Sequence, residues 1–284
     1  MTTIAPAVGL GIAVLLAGNL PWGAVLAPLN LRLWPQVPWA LLPMAVYLWL
    51  YWRFIGGRLG SRATAETRRT FLRAGPLAPD VWPMALVTGL VGFGGLVLLL
   101  LTMARLMVMP ESTPLTMPAG MPALAGFLLI VMSSVVAAVT EEAGFRGYMQ
   151  GPIERRYGLL PAIAINGVMF GLLHFPSHPG AVASMLPYYV AVAGVYGGLT
   201  WAADSILPAV VLHAGGDVWS LTRLWLTGKP EWQLGTASPP VATAGLDAAF
   251  GMTAAGTALL AALFIYMCRM LATNRDRSLG GEQR

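Results

Sequence analysis

The chain alternates long apolar segments with short polar connections, which is the pattern of helices that cross a membrane. A helix needs roughly 20 apolar residues to cross the hydrocarbon core, and eight segments of about 17–29 residues meet that length. We therefore predict an all-α, polytopic transmembrane bundle of about eight spans, at residues 4–27, 37–55, 81–109, 123–150, 159–175, 183–203, 206–226 and 246–272. The longest polar connection contains a short amphipathic segment, 63–74, which is consistent with a solvated basic loop or with a helix on the membrane surface.

Composition supports this interpretation and restricts the function. Hydrophobic residues make up 57% of the chain and charged residues only 10%, whereas a soluble domain carries roughly 25% charged residues. No polar stretch is long enough to form a separate domain, so we predict a single domain over 1–284, embedded in the lipid bilayer. The net charge of +5 does not indicate a nucleic-acid partner, because the arginines lie in short connections between spans.

The distribution of basic residues predicts the orientation. Arg146 lies inside a span, and the remaining sixteen of the 17 Lys and Arg residues divide twelve to four between the two sides of the predicted bundle. Basic residues accumulate in cytoplasmic loops, so we predict cytoplasmic N- and C-termini in an integral multi-pass protein, with the bacterial inner (plasma) membrane as the expected location. The twelve are Arg53, Arg58, Arg62, Arg68, Arg69, Arg73, Arg155, Arg156, Arg269, Arg275, Arg277 and Arg284.

Three stretches place titratable side chains deep inside apolar segments. Burying such groups costs about 2.5–3.5 kcal/mol each even on the lenient insertion scales, so by default they indicate function. We expect the three stretches to converge on one site. Their titratable residues are Glu141, Glu142 and Arg146 in the fourth span, His174 in the fifth, and His213 and Asp217 in the seventh.

The fourth span carries two neighbouring carboxylates with different expected roles. Glu142 and Arg146 are four residues apart with the acid first, which is the favourable order for a helical ion pair. Glu141 projects about 100° away from Glu142 and cannot share that face of the helix. We predict a structural ion pair between Glu142 and Arg146, which leaves Glu141 available for chemistry. A buried charge network without chemistry is the alternative interpretation.

One carboxylate, two histidines and a further acid suit a hydrolase that activates water. Glu141 is then the candidate general base and His174 orients the same water, while His213 and Asp217 face the developing oxyanion or clamp the scissile peptide. Alternatively, Glu141, His174 and His213 are candidate ligands of Zn²⁺ or another divalent metal. The zinc-protease signature HExxH and the serine-hydrolase motifs GxSxG and SxxK are absent from the sequence.

Three short motifs carry a resemblance to a known family. The sequence reads EEAGFR at 141–146, FGLLH at 170–174 and HAGGD at 213–217. In this order, and inside apolar segments, they resemble the EExxxR, FxxxH and HxxxN or HxxxD motifs of the CPBP (Abi, CAAX prenyl protease-like) intramembrane protease family. The resemblance covers about 123–226, which we take as the catalytic core. The family includes CAAX prenyl endopeptidases and proteins of bacteriocin processing or self-immunity.

The resemblance implies a helical bundle of about eight spans and an intramembrane endopeptidase that acts on a membrane-associated peptide or protein. In such an enzyme Glu141 and His174 activate the water, while His213 and the residue at position 217 stabilise the oxyanion. The family is often labelled metalloprotease, and a metal-free glutamate mechanism has also been argued for its prenyl-processing members. Those members typically carry Asn where this chain has Asp217, and an ionised carboxylate cannot donate to an oxyanion as an amide can. We therefore expect Asp217 to be protonated, to hold His213 in one tautomer or to assist a cation.

The sequence leaves two other classes of function open. One is a family member without peptidase activity that acts as a membrane immunity or scaffolding protein. The other is a proton-coupled transporter that uses the same buried acids and histidines, although the internal repeats typical of transporters are not evident. A scaffold should keep its function when Glu141 is replaced by Gln, and a hydrolase should not.

Overall fold

The computed structural model of the protein describes residues 4–111, 113–174, 182–235 and 238–281, and all of the regular secondary structure in these residues is helical. The predicted all-α fold is therefore confirmed. Short helical turns at Arg62–Thr64, Glu231–Gln233 and Val241–Ala244 lie between the main helices. The main helices are α1 (Ile4–Leu33), α2 (Leu41–Ile55), α3 (Ala65–Leu72), α4 (Val81–Leu106), α5 (Ala123–Tyr157), α6 (Leu159–Leu173), α7 (Val182–Ala203), α8 (Leu207–Thr227) and α9 (Ala248–Gly281).

Four of these helices are long and apolar enough to cross a membrane: α1, α4, α5 and, over Ala248–Asp276, α9. The shorter helices α2 and α6 are also apolar. The chain is thus a multi-pass membrane protein, whereas the count of eight crossings stays a prediction. A helix lies within each predicted segment, although the last residue of segment 159–175 lies outside the described residues.

The central helix α5 changes its winding where the charged residues begin. Its first part, Ala123–Glu141, is α-helical, and Glu142–Gln150 is a π-helix before α-helical winding resumes. Two glycines let other elements approach this π-helical segment closely. A Cβ at Gly144 would lie 2.7 Å from the carbonyl oxygen of Gly11 in α1, and one at Gly147 would lie 3.0 Å from that of Leu72. Close packing on both sides therefore encloses the segment, and such π-helical turns are frequent at functional sites.

The amphipathic segment 63–74 differs from both of its predicted forms. It contains helix α3, whose residue Leu72 is buried, and the ring of Phe71 lies edge-on to that of Tyr148 in α5. The backbone of this helix packs against Gly147 of the π-helical segment. The segment is thus neither a solvated loop nor a helix free to lie on lipid, because its apolar side is covered by the protein.

A partly buried ion-pair cluster fixes α3 to the arginine-rich side of the bundle. The guanidinium of Arg73 lies 3.1 Å from Glu154 in α5 and 2.7 Å from Asp204, which follows α7. The carbonyl oxygen of Arg73 accepts a hydrogen bond from the amide of Ile206 at 2.9 Å. Burial disfavours the charged guanidinium, but the hydrogen bonds and charges of Glu154 and Asp204 outweigh this and raise the pKa of Arg73.

On the opposite side, Arg105 at the end of α4 pairs with Asp247 just before α9. The two guanidinium nitrogens lie 2.8 and 3.1 Å from the two carboxylate oxygens, which is a bidentate arrangement. One of those oxygens also accepts the amide of Phe250 at 2.8 Å and so caps the start of α9. The hydrogen bond from Arg105 is the main reason that the pKa of Asp247 is lowered.

Candidate active site

The two carboxylates of α5 differ in exposure, as their different directions on the helix predict. The side chain of Glu142 is fully buried, and that of Glu141 remains 17% exposed on the face that lines a cavity. The geometry therefore separates the two acids, with Glu142 inside the protein and Glu141 at the surface of the cavity.

Glu142 is the centre of a buried charge network. Its Oε1 lies 3.2 Å from Nη1 of Arg146 and 2.7 Å from Nδ1 of His213. Arg146 is 1% exposed, and its guanidinium carbon lies 5.3–5.7 Å from three ring centroids, which provide cation–π contacts. Those contacts surround a guanidinium whose Nε and Nη2 have no hydrogen-bond partner among the described residues. The rings are those of Phe145, Phe170 and Tyr196.

His213 connects this network to the cavity. An ionised carboxylate only accepts, so the hydrogen bond to Glu142 assigns a proton to Nδ1. On the other edge of the ring, Nε2 lies 3.8 Å from Glu141 and 3.5 Å from Asp217. These distances exceed those of direct N–H···O hydrogen bonds. Glu142 therefore orients the imidazole so that Nε2 faces the two carboxylates of the cavity.

His174 is held at the end of α6 by its own helix and by a tyrosine. Its Nδ1 lies 2.8 Å from the carbonyl oxygen of Phe170, which can only accept, so this nitrogen carries a proton. The imidazole stacks on the ring of Tyr189 in α7, with centroids 5.2 Å apart and planes 27° from parallel. In the neutral imidazole Nε2 is then the unprotonated nitrogen.

All four predicted catalytic residues line one cavity of about 420 Å³. This volume lies within the range typical of small-ligand sites, and most of the other lining residues are apolar or aromatic. The structure thus brings together residues that are up to 76 positions apart in the sequence. They are Glu141 from α5, His174 from α6, and His213 and Asp217 from α8.

The loop after α8 contributes a further acid to the same cavity. Glu231 lines it and accepts a hydrogen bond from the hydroxyl of Ser220. Burial raises the pKa of Glu231, and the hydrogen bond from Ser220 opposes that rise. The side chain of the next residue, Trp232, donates to the carbonyl of Pro110 at 3.0 Å and anchors the loop over the cavity.

The described side chains do not fit a metal centre. Within the part of the chain that the structure describes, no three His, Cys, Asp or Glu residues are grouped so that they could hold a metal ion. The candidate ligands Glu141, His174 and His213 line one cavity without forming such a group. We therefore derive no reaction step through a metal.

Two features of the site were not predicted from the sequence. Tyr189 and Tyr196 are seven residues apart on α7, and each ring stacks on one of the two histidines. An aromatic pair at that spacing marks one helix face, and this signal was present in the sequence. Glu231 had no comparable signal, because it lies in a loop without periodicity whose approach to the cavity depends on tertiary contacts.

Comparison with protein-family models identifies the central third of the chain. Residues 123–219 match the model described as Type II CAAX prenyl endopeptidase Rce1-like. The matched segment contains all four of the cavity residues predicted to be catalytic, and it confirms the resemblance to the CAAX protease-like family. No curated protein and no solved structure matches the chain.

Proposed function

We propose, on the premise that residues 123–219 belong to the Rce1-like family of type II CAAX prenyl endopeptidases, that this chain is a membrane-embedded endopeptidase. The observation that carries the proposal is that Glu141, His174, His213 and Asp217 line one cavity in an otherwise apolar bundle. The substrate is a membrane-associated peptide or protein, since the catalytic residues lie on apolar helices.

Glu141 is the general base in this proposal. Its carboxylate is the acid of α5 that reaches the cavity, while Glu142 is committed to Arg146 and His213. A water held by Glu141 loses a proton to the carboxylate as its oxygen attacks the scissile carbonyl carbon. His174 holds the same water by accepting its second O–H at Nε2, because Nδ1 donates to Phe170.

The attack converts the carbonyl into a tetrahedral oxyanion, which His213 stabilises. With Nδ1–H bound to Glu142, a proton on Nε2 turns the second edge of the ring into a donor directed at the cavity. The carboxylate of Glu142 balances the positive charge of that imidazolium. Preorganised donors of this kind are worth about 10²–10³ in rate each.

Collapse of the intermediate completes hydrolysis. The C–N bond breaks, the electron pair stays on nitrogen, and the departing amine takes the proton that Glu141 acquired from water. The products are a carboxylic acid, which keeps the second proton of the water, and an amine, and Glu141 returns to its ionised form. One group thus serves as base and then as acid, and no other proton donor is required.

Cleavage of quenched fluorescent peptides by the protein in lipid vesicles tests the proposal. Two probes share one sequence. In one of them, the cysteine that is the fourth residue from the C-terminus carries a farnesyl group. We expect cleavage of at least one probe by the wild type, and no cleavage by Glu141→Gln or His174→Ala at unchanged melting temperature.

The matched control is Glu66→Gln, which removes an exposed acid of α3 whose only described ion pair is with Arg69. We expect this variant to cleave the probes at the wild-type rate. Full activity in Glu141→Gln, or no cleavage of either probe by the wild type, would contradict an endopeptidase. A cellular function that survives Glu141→Gln would instead support the membrane immunity or scaffolding alternative.

A further inference from the structure

Asp217 leaves the proposed oxyanion site short of donors. An ionised carboxylate has acceptors only, and it would repel a negative oxygen rather than stabilise it. The catalytic motifs then supply one donor to the developing charge, Nε2 of His213. Oxyanion holes are usually built from more than one donor aimed at the same oxygen.

Tyr196 of α7 lies close to the residues of this proposed oxyanion site. Its ring stacks on the imidazole of His213, with centroids 5.1 Å apart and planes only 12° from parallel. The phenol oxygen would lie 3.8 Å from a Cβ at Gly216, the residue next to Asp217. Tyr196 is one of the residues that line the catalytic cavity. The ring of Tyr196 therefore lies on His213, and its hydroxyl lies near Gly216 within the HxxxD motif.

The hydroxyl of Tyr196 has no hydrogen-bond partner among the described residues, although the side chain is only 7% exposed. Tyr196 lines the cavity, and its hydroxyl is not fully enclosed by the protein. Such a hydroxyl can donate a hydrogen bond to a molecule bound in the cavity, which a phenylalanine of the same shape cannot do.

We propose that Tyr196 is a further catalytic residue, whose hydroxyl donates a hydrogen bond to the oxyanion in the place that an amide would take at position 217. This inference rests on the proposed peptide hydrolysis. As the carbonyl π pair moves to oxygen, the phenol O–H and Nε2–H of His213 converge on that oxygen. The phenol keeps its proton throughout, so the proton balance of the reaction is unchanged.

The stacking contact also explains how Tyr196 is aimed. His213 is fixed by Glu142 at 2.7 Å, and the tyrosine ring contacts both that imidazole and the guanidinium of Arg146, the latter at 5.3 Å. A ring held by two such contacts loses little conformational freedom when it donates. The donor is therefore preorganised, which is the property that makes such groups effective in catalysis.

The test is Tyr196→Phe, which keeps the ring and its stacking and removes one oxygen. We expect kcat on the cleavable peptide to fall about 10²–10³-fold, which is typical for loss of one oxyanion donor, with KM within about threefold. The matched control is Tyr266→Phe on α9, because this tyrosine is 60% exposed and does not line the cavity. This control should leave both kcat and KM unchanged.

A peptide phosphinate, whose tetrahedral anion imitates the intermediate, provides a measurement that does not need turnover. We expect its Kd to rise about 100-fold in Tyr196→Phe, while the Kd of the uncleaved peptide, measured in the Glu141→Gln background, changes less than threefold. If the variant melts lower than the wild type, binding to the folded fraction still decides between a donor and a packing role.

The outcomes for this inference and for the proposed function are distinct. Wild-type kcat and phosphinate affinity in Tyr196→Phe, together with an inactive Glu141→Gln, would overturn the oxyanion role of Tyr196 and leave the endopeptidase proposal intact. An equal loss of affinity for substrate and phosphinate would also overturn it, because uniform binding does not lower the barrier. Full activity in Glu141→Gln would remove the hydrolase proposal itself.

Discussion

Replacement of Arg146 by Met should destabilise the protein strongly, although the new side chain is apolar and of similar length. Arg146 is 1% exposed and Glu142 fully buried, so the substitution leaves a buried carboxylate with only the Nδ1 hydrogen bond of His213. Breaking a buried ion pair from one side costs about 3–5 kcal/mol. For a chain of this size each kcal/mol lowers the melting temperature by about 2–4 °C, so we expect a fall of about 6–20 °C.

Removing the other charge should restore part of that loss. In Glu142→Gln/Arg146→Met no uncompensated charge remains, and the amide oxygen of the glutamine can still accept from Nδ1 of His213. We therefore expect the double variant to melt above Arg146→Met. The control is Arg62→Met, an exposed arginine on the same side as α3, which should change the free energy of unfolding by less than about 0.5 kcal/mol.

Thermal unfolding in detergent micelles, followed by intrinsic fluorescence and by the loss of monodisperse protein, measures these differences. A melting temperature of Arg146→Met within about 2 °C of the wild type would refute the reasoning. It would show that Glu142 and Arg146 are hydrated, or that neither needs the other for the protein to be stable, rather than that they form a buried pair. A double variant no more stable than Arg146→Met would show that the guanidinium acts mainly through its three aromatic contacts.

Four further predictions concern the cavity and the two faces of the bundle. Asp217→Asn should keep peptide cleavage within about tenfold of the wild type, because the introduced amide can donate to the oxyanion. A loss comparable to that in Glu141→Gln would show that the amide cannot replace the carboxylate. Dialysis against a chelator should leave cleavage unchanged, and loss of activity that is restored by Zn²⁺ would show that a metal is required. Asp247→Asn should lower the melting temperature at neutral pH. Since Arg105 lowers the pKa of Asp247, the difference in melting temperature between wild type and variant should vanish as the pH falls through that lowered pKa. A difference that is independent of pH would exclude the ion pair as its source. Reporters fused after Arg69 should appear on the cytoplasmic side, and an external position would overturn the predicted orientation.

Most of the fold could be predicted because membrane helices carry their own signal. The length of an apolar run and the hydrogen bonding of its backbone are local properties, and they are enough to predict an all-helical bundle. The winding of α5 was not predictable in the same way. Nothing in the local pattern of Glu142–Gln150 distinguishes a π-helix from an α-helix, and the close approach of Gly11 and Leu72 is a tertiary contact.

The cavity shows the same division between local and tertiary information. The i, i+4 spacings alone predict that Glu142 and Arg146 share one helix face and that His213 and Asp217 share another. Spacing within one helix could not indicate that His213 of α8 would reach Glu142 of α5, nor that the loop around Glu231 would line the cavity. These contacts depend on how α5 and α8 pack, which a single sequence does not specify.

The contact between Glu142 and His213 changes how the two acids of α5 are to be understood. The sequence suggested a structural acid and a chemical acid, yet the buried one is bound at 2.7 Å to the histidine that faces the cavity. Arg146 shares the same carboxylate oxygen and also packs against the ring of Tyr196, which stacks on His213. The charge that stabilises the helix therefore also fixes the direction of both proposed oxyanion donors. Because one set of contacts serves both purposes, substitutions at Glu142 should alter kcat even where they leave the melting temperature unchanged.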